Sequence, residues 1–307
     1  MLAGDSIASS AAAASSFTTA SQPPLPSQEE EEEEEKEEEK EEEEIEQTPE
    51  EKELFQAAKD DDTTTVVALL KAGTNVNCRD ESQWTPLHRA AEQNVVDVAK
   101  ILVAHGAELN ARDEDGWSPL MIAALNGHKE SITAMLQGGA AVDAKDKDGW
   151  SPLMIAAENR HKESTTALLQ GGAAVDTKLE NGCTALYTAA QNGHQESITA
   201  LLQGGAAVDA KRRGGFSPLY VAAENGHKES ITALLQGGAA VDAKAEIGAT
   251  PLYVAAQKGH KESITALLQG GAAVDAKTED GETALDIAKS NHHAEVVAIL
   301  RGAGALE

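Results

Sequence analysis

From residue 51 onward, apolar and polar positions recur with a period of 33 residues. The clearest column is leucine: Leu87, Leu120, Leu153, Leu186, Leu219, Leu252 and Leu285. Two residues before each stands Ser or Thr, from Thr85 to Thr283, and Pro lies between them at Pro86, Pro119, Pro152, Pro218 and Pro251. Ala follows the Leu three residues later every time, from Ala90 to Ala288. A hydroxyl that accepts from an orphan amide, then Pro where a missing N–H costs nothing, opens a helix. The Leu faces inward, and the small Ala on the same face lets neighbouring helices approach closely. This first helix is short and is expected to end on a left-handed glycine at Gly127, Gly193, Gly226 and Gly259. A second helix runs through His-Lys-Glu-Ser-Ile-Thr-Ala-Leu-Leu, with Ile132, Met135 and Leu136 on one face. Gly138-Gly139 and their equivalents end it. Ala-Ala-Val-Asp-Ala-Lys and an Asp/Gly-rich turn then form an extended finger leading to the next unit.

The period, the helix pair and Thr85-Pro86-Leu87-His88-Arg89-Ala90 together resemble the ankyrin repeat. Elsewhere the His of that motif is replaced by Met121, Met154, Tyr187, Tyr220, Tyr253 and Asp286. The resemblance implies an all-α repeat fold: an ankyrin-type solenoid of helix-turn-helix units with extended turn fingers. It spans residues 51–307 in about eight units: 51–83, 84–116, 117–149, 150–182, 183–215, 216–248, 249–281 and 282–307. The first unit keeps Leu54, Ala57, Ala58, Leu69, Leu70 and Gly73 but has no Thr-Pro. In the last unit Lys289 and Arg301 break apolar columns, as a solvent-facing cap should. Unit 150–182 is irregular. Thr165 replaces the Ile of Ile132, Ile198, Ile231 and Ile264, and Arg160 occupies the left-handed glycine position. Both changes cost stability, so this unit is expected to be the soft point of the array.

Composition and charge narrow the function. Hydrophobic residues make up 41% and aromatics 3%, so the core must be built from Ala, Leu, Ile and Val. Net charge is −27, of which −15 falls in residues 1–50. That Ala/Ser-rich and then Glu-rich tail cannot bury enough surface to offset its chain entropy, and it is expected to be disordered. Its first residues lack the basic start of a secretory signal and the Arg of a transit peptide. Both parts of the chain repel polyanions, so nucleic acid and anionic membranes are poor partners. No apolar run is long enough to span a bilayer. Cys78 and Cys183 have no metal-ligand spacing and make no disulfide framework, consistent with reduced thiols in the cytoplasm or nucleus.

Candidate chemistry is sparse. His128, His161, His194, His227, His260 and His293 recur at the repeat period. Equivalent residues of stacked units lie roughly 8–10 Å apart, too far for a shared zinc ion. A histidine bonding a nearby backbone group at the start of the second helix is the plainer reading. No nucleophilic constellation, phosphate loop or CxxC pair is present. Neither a catalytic group nor a cofactor or metal site is expected.

The aromatics are more informative. Trp84, Trp117, Trp150 and Phe216 share one repeat position, in the finger just before the first helix. Tyr187, Tyr220, Tyr253 and Phe55 share another, one residue past the Leu column. The resemblance implies that fingers and first helices form a concave binding surface. Large aromatics on such a face supply contact area at low entropy cost. The candidate partner-binding residues are therefore Trp84, Trp117, Trp150, Phe216, Arg89, Glu92 and Arg213, while the Tyr column reads as structural packing. The expected function is a monomeric protein-interaction module or scaffold with another protein as partner. Two alternatives stand beside it: a Glu-rich tail that attracts basic proteins, and an adaptor that brings substrates to a separate enzyme. Pro23-Pro24-Leu25-Pro26 could dock a Pro-recognition domain, or serve as plain linker.

Overall fold

The computed structural model describes residues 47–306; the Glu-rich run and the Pro23–Pro26 segment lie outside them. Among the described residues there are eight helix pairs and no strand. The first helices are α1 (Pro49–Lys59), α3 (Pro86–Gln93), α5 (Pro119–Leu125), α7 (Pro152–Glu158), α9 (Ala185–Gln191), α11 (Pro218–Glu224), α13 (Pro251–Lys258) and α15 (Ala284–Ser290). Their partners are α2 (Thr63–Ala72), α4 (Val96–Ala104), α6 (Lys129–Gln137), α8 (Lys162–Gln170), α10 (Gln195–Gln203), α12 (Lys228–Gln236), α14 (Lys261–Gln269) and α16 (Ala294–Gly302). First helices pack on first helices and second on second, unit after unit. The architecture is an ankyrin-type solenoid.

The first helix begins at Pro49. Thr48-Pro49 supplies the Thr-Pro that the first unit lacks in register, one turn further upstream. Thr48 Oγ1 accepts from the Glu51 amide, and the Glu51 carboxylate accepts from the Thr48 amide at 3.0 Å. That reciprocal cap starts α1 at Pro49 and lengthens it.

The repeat columns do what their chemistry requires. Ser118, Ser151, Thr184, Ser217, Thr250 and Thr283 each accept the amide of the third helical residue. The Ala column from Ala90 to Ala288 is fully buried, and each Leu of the Leu column is at most 1% exposed. Those leucines contribute roughly 2 kcal/mol each through burial. Gly127, Gly193, Gly226 and Gly259 are left-handed, and Arg160 is forced to φ 65° at the equivalent point. Thr165 is fully buried, and its hydroxyl donates to the His161 carbonyl.

Units are also tied by side-chain bonds to backbone. Each repeating histidine places Nε2 against a carbonyl of the preceding unit: His128 on Glu92, His161 on Leu125, His194 on Glu158, His227 on Gln191, His260 on Glu224 and His293 on Gln257, at 2.7 to 3.0 Å. This is the backbone role expected of the histidine column. Two further ladders escaped the sequence reading. Asn77, Asn110, Asp143, Asp176, Asp209, Asp242 and Asp275 each accept an amide 31 residues ahead. Arg79, Arg112, Lys211 and Lys244 each donate to the carbonyl 33 residues ahead.

Candidate protein-binding surface

Each finger is a tight turn closed by its own backbone. The Asp80 amide donates to the Trp84 carbonyl, and the Asp80 carboxylate accepts the Trp84 amide in return. Asp113 and Trp117, and Asp146 and Trp150, repeat this arrangement. An acidic residue at the turn start therefore fixes the following tryptophan directly ahead of the helix cap. In later units Leu179, Arg212, Ala245 and Thr278 stand in that slot; the first three keep only the backbone part of the closure, while the Thr278 hydroxyl still accepts the Glu282 amide at 3.2 Å. Neighbouring fingers are linked edge to edge, as where the Arg213 amide donates to the Asn181 carbonyl at 2.9 Å.

The three tryptophans are half-buried, but they are not equivalent. Trp84 donates its indole N–H to Asp113 at 3.1 Å and lies under the Arg89 guanidinium at 4.3 Å. It packs on both hydrophobic clusters of the array, the one built on Leu54 to Ala107 and the one running from Ala91 to Leu300. Part of its role is therefore structural. The rings of Trp117 and Trp150 lie against the core while their indole N–H groups make no hydrogen bond among the described residues. Trp84 and Trp117 together line one groove of about 300 Å³, with Ile122 and Leu125 adding apolar surface and Asp113, Glu114 and Asp115 adding charge.

The other candidate residues do not line that groove, although Arg89 stacks on its Trp84 ring. Arg89 is held by Asp80 at 2.9 Å and by Glu92 at 3.3 Å, and the Glu92 carbonyl is occupied by His128. Phe216 packs on Tyr220 with ring centroids 4.9 Å apart and under Arg212 at 5.2 Å. The Arg212-Arg213 pair is split: Arg212 stacks between Tyr187 and Phe216, while Arg213 is exposed at the fingertip. Cys183 and Ala249, which stand in the tryptophan position, are buried. Tyr187, Tyr220 and Tyr253 are packed inside as the sequence suggests, and burial pushes each phenol up to about 12. Sequence reasoning gave no role on this face to Leu125 or to Ile247, which is 59% exposed at a fingertip. Both stand where an otherwise regular column turns apolar, which is the signal that could have found them.

His88 shows how the one complete Thr-Pro-Leu-His motif works. Its Nδ1 accepts the Thr85 amide at 3.0 Å, so the proton belongs on Nε2, which donates to the Trp117 carbonyl at 3.1 Å. The ring thus joins one helix start to the next finger. Burial drives its pKa down to about 4, keeping it neutral. Burial likewise lifts Cys78 to about 12 and raises Cys183, which makes both thiols poor nucleophiles. Among the described residues no group of three or more His, Cys, Asp or Glu side chains could hold a metal ion. None of the described helices is long and apolar enough to cross a membrane.

Comparison with known proteins agrees with this geometry. The family described as ankyrin repeats (3 copies) matches in overlapping segments, 54–146, 110–178, 132–212, 153–245 and 219–305. The crystal structure of the human ASB11 ankyrin repeat domain aligns with a TM-score of 0.65 and 30% identity, covering 73% of this chain and 100% of that one. No curated protein matches the sequence significantly. Repeats of this kind are general protein–protein interaction modules and are typically non-catalytic. With its period, caps, fingers and inter-unit ladders all in place, the chain belongs to the ankyrin-repeat family.

Proposed function

We propose that the array is a scaffold that binds a partner protein on the face made by its fingers and first helices, without chemistry of its own. The observation that carries this reading is the groove between Trp84 and Trp117. It offers large rings that are half-exposed, held on rigid turns, and therefore cheap to immobilise on binding. The fingertips are also where near-identical repeats differ most: Glu114-Asp115, Lys147-Asp148, Glu180-Asn181, Arg213-Gly214 and Glu246-Ile247. Variation on one face over a constant frame is what partner selection requires. The setting that fits two buried free thiols is a reducing compartment, and the array would act there as a monomer.

The test is proximity labelling with the full chain and with a Trp117→Ala/Trp150→Ala variant. Trp84 is spared because its indole bonds Asp113. Labelled partners should fall away in the variant while its thermal unfolding midpoint stays close to that of the parent. An unchanged partner set would refute the binding face, and an unfolded variant would show that the rings serve the fold.

A further inference from the structure

We infer that the Trp84–Trp117 groove takes an extended partner segment in which an apolar or aromatic side chain is flanked by Lys or Arg. This rests on the binding face proposed above and adds the chemistry of what fills it. The groove is apolar within and acidic at its edge. Leu125 is 38% exposed, one of few large hydrophobic side chains so open among the described residues, and it lies beside Ile122 and the two indoles. An entering apolar side chain would remove this surface from water.

The edge charge is not neutralised from within. Glu114 and Asp115 are exposed and form no ion pair among the described residues. Asp113 differs: its carboxylate takes the amides of Asp115 and Trp117 and the indole N–H of Trp84, so it is committed to the turn. Nearby arginines are engaged elsewhere. Arg89 pairs with Asp80 and Glu92. Arg112 donates to the carbonyls of Gly116 and Lys145. Lys147 on the next fingertip has its amide bonded to the Asp115 carbonyl and forms no ion pair with Glu114 or Asp115 among the described residues, and Glu81 on the preceding fingertip adds a further negative charge. A cationic segment would be drawn to this edge and an acidic or phosphorylated one repelled.

Two of the three tryptophans in the chain line this groove, so tryptophan fluorescence responds to its occupation. The probe is the capped peptide Gly-Lys-Arg-Leu-Phe-Lys-Arg-Gly, titrated into the full chain. It is compared with one carrying Ser-Gly in place of Leu-Phe and with one carrying Glu in place of every Lys and Arg. The basic apolar peptide should change the fluorescence saturably, and the other two should bind about tenfold more weakly or worse. Glu114→Lys/Asp115→Lys should weaken it by about tenfold, whereas Glu279→Lys/Asp280→Lys, the same charge change on a distant fingertip, should alter it by no more than about twofold. Trp117→Ala should abolish the signal change that remains. Equal loss in the two charge variants would mean bulk attraction and overturn the inference, as would a basic peptide that gives no saturable change. If the Glu peptide binds as well and Trp117→Ala removes it, the inferred partner chemistry fails while the binding face stands.

Discussion

Unit 150–182 allows the repeat architecture to be tested quantitatively, because its two departures have computable costs. Thr165 occupies a fully buried slot that Ile132, Ile198, Ile231 and Ile264 fill elsewhere without exposure. Thr165→Ile replaces a hydroxyl with two carbons, a transfer gain of about 1.6 kcal/mol at roughly 0.8 kcal/mol per methylene. Against it stands the lost bond from Oγ1 to the His161 carbonyl, worth about 1 kcal/mol at most. That carbonyl keeps the Thr165 amide at 2.8 Å, so nothing buried is orphaned. Arg160→Gly relieves a left-handed residue at φ 65°. Relief of about 1–2 kcal/mol is partly offset by the roughly 0.5–1 kcal/mol of extra chain entropy of glycine. The double variant should gain about 1–2 kcal/mol, which lowers the population of the locally open state by roughly 5- to 30-fold. Hydrogen exchange by mass spectrometry reads this directly. In the parent, peptides from α7 and α8 should exchange faster than those from α5, α6, α9 and α10, and the double variant should remove the difference. Parent protection in 150–182 equal to that of its neighbours would refute the reasoning, as would a Thr165→Ile protein no more protected than the parent.

Further outcomes follow from the same structure. Ser164, Ser197, Ser230 and Ser263 are fully buried with no partner for their hydroxyls, whereas Ser131 donates to Asn94 at 2.8 Å. Ser197→Ala should therefore raise stability by about 1 kcal/mol and Ser131→Ala should not, as read from denaturant midpoints. The Gly193 Cα is left-handed, and an added Cβ would fall 2.7 Å from the His227 ring; Gly193→Ala should cost about 1–3 kcal/mol and lower the thermal midpoint. His88 is neutral in the fold with a pKa near 4 against about 6.5 unfolded, so its stabilisation is complete above pH 6.5 and fades as pH falls toward 4. Between pH 7 and 4.5 the parent should lose about 2–3 kcal/mol more than His88→Met, the residue type found at Met121; equal losses would place the sensitivity elsewhere.

Much of the frame was legible in the residues themselves. Period, caps, left-handed turns and the apolar seam depend on contacts within one unit or between identical neighbours, so a repeated letter carries them. The Tyr column and the backbone-bonding histidines fall in this class too. The start of α1 was missed because Thr48-Pro49 lies one turn out of register, where only reciprocal bonding with Glu51 reveals it. The Asn/Asp and Arg/Lys ladders are visible as columns, yet nothing in a column says that a solvent-facing carboxylate reaches an amide 31 residues away. The candidate surface depended most on tertiary structure. Trp84, Trp117 and Trp150 read alike in sequence, but Arg89 and Asp113 bind one of them into the frame, and the groove forms only where Leu125 and Ile122 come beside two of the rings. Local pattern fixes which side chains a repeat presents; what those side chains become is set by neighbours from the next unit, and only the stacked structure brings these into contact.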